Sequence, residues 1–486
     1  MILEEFKLSI TQAAETGQLA QGLIGEGLRL PGPFGEVPLV YADYVASGRA
    51  LQQVEDFIAS QVLPYYANSH TEASYCGQYV TRLRRAARAE IARVTGADEG
   101  CEVIFAGAGA TAGINRLVSL LGVNAARRPV VFIGPYEHHS NILPWRESRA
   151  EVVEIPEDAQ GGVDLAALEA ALLAHADSDL KIGSFSAASN VTGIVTDPDP
   201  VTRILRAQNA LAVWDYAGAG PYLPIDMGAN GAVPKDAVVV SPHKFPGGPG
   251  SSGILVLRRD AVRATAPSWP GGGTVSFVSP WSHRYSDSLA SREEAGTPNV
   301  IGDIRAALAF LVKEAVGQAQ IEALESRYAA KAVAAWSDLP GLTLLGHPRA
   351  HRLPIFSFTL RGASGAPIHQ QLFTRMLSDV YGIQARGGCA CAGAYAHRLL
   401  DIDQPRSEAL FADLQAGREI RKPGWVRLNF SYLMPETTVD YILDSVTELV
   451  ARAEDLATAY EVDPATARFH PRAMIPSPQP RSATLS

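Results

Sequence analysis

From about residue 50 to 300, short and nearly continuous apolar runs alternate with stretches of helical period. The runs are CEVIFAG (101–107), RPVVFIG (128–134), AEVVEIP (150–156), LKIGSFSAAS (180–189), ALAVWDY (210–216), AVVVS (237–241) and GILVL (253–257). Between them lie TAGINRLVSLLG, with Ile114, Leu117, Val118 and Leu121 on one face, and VDLAALEAALLAHA. Strands that are apolar throughout are covered on both faces. The order therefore predicts an α/β fold: a large domain with a mainly parallel seven-stranded sheet between helices.

After GTPN (296–299) the pattern changes. A long helical stretch is predicted over roughly 301–337, and short strands such as LPIFSFTL and WVRLNFSYL then alternate with helices such as TTVDYILDSVTELVARAEDLA. This predicts a smaller α+β C-terminal domain. The expected organisation is an entry segment over 1–50 that packs with the small domain, a large domain over 51–300, and the small domain over 301–461. A loose tail rich in Pro, Ser and Ala follows over 462–486.

The chain has 486 residues, ample for a large core. With 42 basic and 51 acidic residues its formal charge is −9. That balance, without a basic run, argues against nucleic acid as a partner. The acidic start MILEEFKLSI does not read as a secretory signal, and no stretch reaches the length of a membrane span. Four cysteines in so long a chain are not a disulfide framework. The expectation is a cytoplasmic protein acting on a small molecule.

Ligands of an open parallel sheet bind beyond the carboxyl ends of its strands. The residues that end each run are therefore the informative ones. The first run ends in GAGATAG (107–113), a glycine-rich turn opening a helix, where free backbone N–H groups can face an anion. LAVWD ends in Asp215. AVVVS ends in Ser241, and Pro242, His243 and Lys244 follow it. A lysine ammonium at a buried strand end is awkward as structure but useful as chemistry, because a desolvated lysine can form a Schiff base with an aldehyde. An anion cradle, a carboxylate and such a lysine are what pyridoxal phosphate requires for its phosphate, its ring nitrogen and its aldehyde.

These segments resemble the class V aminotransferase group of fold type I pyridoxal phosphate enzymes, and within it the cysteine desulfurases. The resemblance runs from YADYVAS through GATAGIN, EHHSNILPW, SNVTG, SPHKFPGGPGSSGIL and EAGTPN to RGGCAC, covering about residues 40–435. It implies that Lys244 is the Schiff-base lysine and acid/base, that Asp215 pairs with the ring nitrogen, and that His138 stacks on the ring. The phosphate would be held by Ala110, Thr111, Ser241 and His243. Asn190 would lie beside the phenolic oxygen, and Thr297 would reach a partner subunit's phosphate in a homodimer. Arg427 would hold the substrate carboxylate as a bidentate fork. The adjacent His138 and His139 lack the further ligand spacing of a metal site.

Of the pair Cys389 and Cys391, the resemblance places Cys391 at the sulfur-accepting position, with Arg386 as a nearby positive charge that favours a thiolate. The implied activity is cleavage of the C–S bond of L-cysteine or an analogue through a Cys391 persulfide, releasing alanine, with a sulfur-acceptor protein as a further partner. Two positions depart from the family. Gly218 stands where those enzymes carry a glutamine near the phenolic oxygen, and Ala110 and Ala112 stand where Thr and Glu are frequent. Two alternatives remain open. One is another class V reaction (transamination, C–S or β-elimination, epimerisation) with Cys391 uninvolved; the other is a non-catalytic protein of the same fold.

Overall fold

The computed structural model describes residues 2–68 and 72–472. The chain divides into two compact units. The first comprises Met1–Ile24, Ser47–Ser189 and Val195–Ile321; the second comprises Gly25–Ala46, Asn190–Ile194 and Glu322–Ser486.

The first unit is built on a seven-stranded sheet: β1 (Cys101–Gly107), β2 (Pro129–Ile133), β3 (Glu151–Glu154), β4 (Leu180–Ser186), β5 (Leu211–Asp215), β6 (Ala237–Val240) and β7 (Gly253–Arg258). All seven apolar runs are strands of this sheet. Their order is β1-β7-β6-β5-β4-β2-β3. Neighbours from β6 through β3 are parallel, and β7 is antiparallel to both β6 and β1. Every strand except β7 therefore runs the same way, and the carboxyl ends of β1, β2, β5 and β6 open on one edge. The central strands β2 and β6 are buried along their whole length, whereas the edge strand β3 carries exposed Glu151 and Glu154. Such charges discourage further strand pairing at that edge.

Helices complete this unit. They include α1 (Ile2–Glu15), α2 (Tyr75–Val94), α3 (Gly109–Leu120) and α4 (Val300–Val316). Ser74 caps α2 by accepting from the Gly77 N–H at 3.2 Å, and the helix buries Val80, Leu83, Ala87 and Ile91. α3 turns Ile114, Leu117 and Leu120 inward. The 1–50 stretch is divided rather than packed as one segment with the smaller unit. α1 lies in the first unit, where Phe6 meets Phe57 edge-on with centroids 5.1 Å apart. Leu3, Phe6, Ile10 and Ala13 give α1 an apolar stripe at helical spacing, which is what holds it there.

The second unit has an antiparallel sheet of β8 (Leu342–Leu344), β9 (Ile355–Arg361), β10 (Arg386–Gly388) and β11 (Trp425–Asn429), in the order β8-β9-β11-β10. A short strand, Pro367–Ile368, also pairs with β9. α5 (Gln370–Tyr381) and α6 (Glu436–Ala457) supply Phe373, Met376, Ile442, Val446 and Leu449 to its core. Trp336 is fully buried there, 5.6 Å from Phe356 and 5.8 Å from Phe358 between centroids.

Two expectations need correction. The helical stretch 301–337 is two helices, Val300–Val316 and Gln318–Trp336, broken at Gly317. The first part of the expected loose tail is ordered: Tyr460–Asp463 and Arg468–Pro471 form an antiparallel hairpin. Tyr460 is buried in the second unit's core and Phe469 packs against it, which anchors the hairpin. The remainder of the expected tail, 473–486, lies outside the described residues.

Candidate functional site

Along the carboxyl edge of the first unit's sheet, the loops after β1, β2 and β6 are joined by hydrogen bonds. The Ala110 N–H, in the first turn of α3, donates to Ser241 Oγ at 2.9 Å. Thr111 Oγ1 lies 2.6 Å from Ser140 Oγ, which in turn lies 2.9 Å from His138 Nδ1. The Ser140 N–H also donates to that nitrogen at 3.0 Å. His138 Nδ1 is therefore an acceptor, and the proton of the neutral ring sits on Nε2.

The N-cap residue of α3, Ala108, supplies no side-chain cap of its own, and the cap bond at Ala110 comes from Ser241. Gly109 there has φ of +59°, and a Cβ on it would meet Ser241 Oγ at 3.0 Å and His243 Cε1 at 3.1 Å. Only a residue without a side chain leaves that space open. The Ser241 hydroxyl and the His243 imidazole border it at the amino end of α3, whose first turn also carries the Thr111 hydroxyl. That combination can hold an organic phosphate. Burial, reinforced by the Lys244 ammonium, pushes His243 down to about 4, so it is a neutral hydrogen-bonding group near pH 7.

Lys244 closes a single 3-10 turn after β6, its N–H donating to the Ser241 carbonyl at 3.0 Å. The turn is held by close backbone approach: a Cβ on Gly248 would lie 1.8 Å from the Pro242 carbonyl oxygen. Asp215 ends β5, is 3% exposed, and accepts from the Ala217 N–H at 2.7 Å. Burial raises its pKa, and the positive charge of Lys244 pulls the other way. A buried carboxylate of this kind fits a protonated pyridine nitrogen, which would supply the compensating positive charge. With the Gly109 cradle, the residues present therefore fit pyridoxal phosphate. Tyr216, next along, is buried within electrostatic reach of Asp199, Asp226 and Asp197, and burial leads those carboxylates in raising its pKa.

Glu137, one residue before His138, was not singled out by sequence reasoning. It is 2% exposed. It accepts from the Ser186 N–H at 2.8 Å, the Ser186 hydroxyl at 2.5 Å and Asn141 Nδ2 at 2.6 Å. These bonds tie the His138 loop to the end of β4. Burial outweighs them and raises Glu137 to about 7.

The second unit gathers Arg427, Arg386, Asn190 and Cys391. Arg386 on β10 and Arg427 on β11 are cross-strand partners, a pairing of like charges that is unfavourable by itself. Asp43 resolves it. Its Oδ1 accepts from Arg427 Nη2 at 2.9 Å and its Oδ2 from Arg386 Nε at 2.8 Å. Arg427 Nη1 donates to the Asn190 carbonyl at 3.0 Å, and Asn190 Nδ2 donates to the Ala390 carbonyl at 2.9 Å. Burial lowers the Arg427 pKa against the opposing pull of Asp43. Arg427 Nε and Asn190 Oδ1 are buried without a hydrogen-bond partner. The unanswered guanidinium N–H can take a substrate carboxylate, and the unanswered amide oxygen an N–H donor. Asp43 lies inside YADYVAS. Its signal was a charge in the middle of an apolar stretch.

Cys391 is exposed and Cys389 half-buried, both with free thiols. Thr297 is exposed in the turn ahead of α4 and is not among the residues that these bonds connect. Among the described residues no three His, Cys, Asp or Glu side chains converge as a metal site, and no helix is long and apolar enough to cross a membrane.

Residues 40–441 match the family described as Aminotransferase class-V. A probable cysteine desulfurase of Vibrio cholerae is 30% identical over 374 residues, which is 75% of this chain and 86% of the relative. A cysteine desulfurase of Synechococcus elongatus is 29% identical, over 74% of this chain and 56% of the relative. Among solved structures, the apo cysteine desulfurase of Thermococcus onnurineus superposes with a TM-score of 0.70 at 23% identity, covering 85% of this chain and 94% of that one. An Escherichia coli cysteine desulfurase, solved as its S-sulfonic acid, superposes with a TM-score of 0.65. These structural likenesses establish the fold, which is that of fold type I pyridoxal phosphate enzymes.

Proposed function

The chain belongs to the class V aminotransferases, a family of pyridoxal-phosphate-dependent enzymes, and from that membership we propose that it is a cysteine desulfurase-like enzyme. It cleaves the C–S bond of L-cysteine or a close analogue, passing the sulfur to Cys391 and releasing alanine.

Lys244 Nζ would hold the cofactor aldehyde, Asp215 its ring nitrogen, His138 its ring face and Asn190 its phenolic side. Ala110, Thr111, Ser241 and His243 would hold its phosphate. When bound, pyridoxal phosphate supplies an electron sink for the carbanion left at the substrate α-carbon. Arg427 takes the substrate carboxylate, with Asp43 fixing the guanidinium from behind. Lys244 Nζ would remove the α-proton and later return a proton to the alanine skeleton. The Cys391 thiolate attacks the substrate sulfur, forming the S–S bond of a persulfide as the C–S bond breaks, and Arg386 contributes positive charge. A homodimer in which Thr297 reaches the partner's phosphate, and a sulfur-acceptor protein, complete the reading.

The observation that carries this reading is the exposed Cys391 thiol, held on a turn anchored by Asn190 at the position the resemblance assigns to the sulfur acceptor. The test supplies L-cysteine to the purified enzyme and quantifies alanine and sulfane sulfur, with Cys391→Ala in parallel. The variant is expected to lose alanine formation. Alanine at the parental rate from the variant would refute the persulfide step.

Gly218 favours a second reading. Without the family's glutamine beside the phenolic oxygen, the site suits transamination or elimination on another amino acid. Conversion of the bound cofactor to its amine form by an amino acid other than cysteine would support that reading.

A further inference from the structure

The segment Cys389–Ala392 is a closed turn. The Ala392 N–H donates to the Cys389 carbonyl at 3.0 Å, and the two central residues, Ala390 and Cys391, have φ of +50° and +55°. Two successive positive φ values belong to a type I′ turn, whose usual central residues are Asn and Gly. Ala and Cys enter this region rarely, because Cβ crowds the carbonyl. The Asn190 side chain fixes the turn by donating to the Ala390 carbonyl at 2.9 Å. Strain of this kind persists where surrounding structure enforces it, and it marks functional positions.

The geometry has a chemical consequence. Steps of about 3.8 Å between Cα atoms, folded by the turn, bring the Cα atoms of Cys389 and Cys391 to about 5–6 Å, within the disulfide range of about 4.4–6.8 Å. Cys391 is exposed and Cys389 half-buried. Cys391 is thus open to incoming reactants, and the less exposed Cys389 lies two residues away across the same closed turn. The remaining cysteines, Cys76 and Cys101, lie on α2 and β1 in the other unit.

We propose that Cys389 is the resolving thiol of this enzyme. The step rests on the Cys391 persulfide of the proposed function. The Cys389 thiolate, its proton lost to solvent, attacks Sγ of the Cys391 persulfide. The new bond is Cys389 Sγ–Cys391 Sγ. The bond to the terminal sulfur breaks, and that sulfur leaves with the electron pair and its own proton as hydrosulfide. The persulfide is already at the oxidation level of a disulfide, so no outside oxidant enters. A disulfide closed across so short a span is strained and therefore easily reduced, and an external dithiol reopens it for the next turnover. By this route the enzyme delivers sulfur as free hydrosulfide, in place of handing it to an acceptor protein, and draws its reducing equivalents from a dithiol.

The test is a single turnover of the full-length holoenzyme, reduced, freed of reductant and kept anaerobic, with one equivalent of L-cysteine per chain. Both cysteines fall in one tryptic peptide, 387–398. The parent is expected to form one equivalent each of alanine and hydrosulfide and to yield this peptide about 2 Da lighter than its reduced form. Cys389→Ser is expected to form alanine, release at least ten-fold less hydrosulfide, and yield a peptide about 32 Da heavier, with the extra sulfur on Cys391. Dithiothreitol should restore repeated turnover of the parent. A parental peptide that keeps the added sulfur on either cysteine, or hydrosulfide released equally by Cys389→Ser, overturns the resolving role while leaving the desulfurase reading intact. A parent that forms no alanine overturns both.

Discussion

The carboxylate of Asp43 binds the buried guanidinium of Arg427, Oδ1 to Nη2, at 2.9 Å, and with its other oxygen holds Arg386 at 2.8 Å. One acid thus bridges two cross-strand arginines, leaving the trio with a net charge of +1, and holds the Arg427 guanidinium whose Nε has no partner. Its role is positioning: it acts on substrate through Arg427.

Asp43→Asn should therefore weaken carboxylate binding more than it slows chemistry. The expectation is a KM for the amino acid raised by about ten-fold or more, with a smaller change in kcat. Because it leaves a buried arginine uncompensated, the substitution should also cost about 3 kcal/mol of stability. Steady-state kinetics and a denaturation midpoint measure the two effects. An unchanged KM would show that Arg427 does not meet the substrate carboxylate.

Asp215→Asn removes the negative charge that the site offers to a ring nitrogen. The rate should fall by about 100-fold or more, the scale of losing a preorganised electrostatic partner, while Lys244 still retains the cofactor. Alanine formation and visible absorbance, measured on one preparation, separate the two. A variant of near-parental rate would remove Asp215 from the chemistry.

Glu137 gives a pH prediction. Burial raises its folded value to about 7 from an ordinary 4.5. Between those values the unfolded chain has released a proton that the folded chain keeps. Rising pH therefore favours the unfolded state, and stability falls across this window by up to about 1.4 kcal/mol per pH unit. Glu137→Gln cannot ionise and should lack that slope. Denaturant midpoints of parent and variant from pH 4 to 8 check it; parallel curves would mean that Glu137 titrates alike in both states.

All seven strands of the large sheet could be read from the sequence: the interior strands because burial on both faces makes them largely apolar, and the exposed edge strand β3 from its Val152-Val153 pair flanked by Glu. Lys244, Asp215 and Ser241 were found for the same reason: polar residues ending such runs stand out. The stripe of Leu3, Phe6 and Ile10 on α1 is short and interrupted by Glu4, Glu5 and Lys7, so it did not stand out. The 460–471 hairpin is mostly exposed and held by backbone pairing, which leaves little hydrophobic signal. Asp43 and Glu137 escaped because their partners, Arg427 and Ser186, are 384 and 49 residues away, and only the fold brings them together.

Borohydride reduction of the purified protein, followed by digestion and mass analysis of the peptide carrying Lys244, tests the account most directly. The expected result is a reduced pyridoxyl phosphate group fixed to Nζ of Lys244, with the yellow colour discharged. A native protein whose Lys244 peptide remains unmodified, or whose cofactor is attached elsewhere, would contradict it.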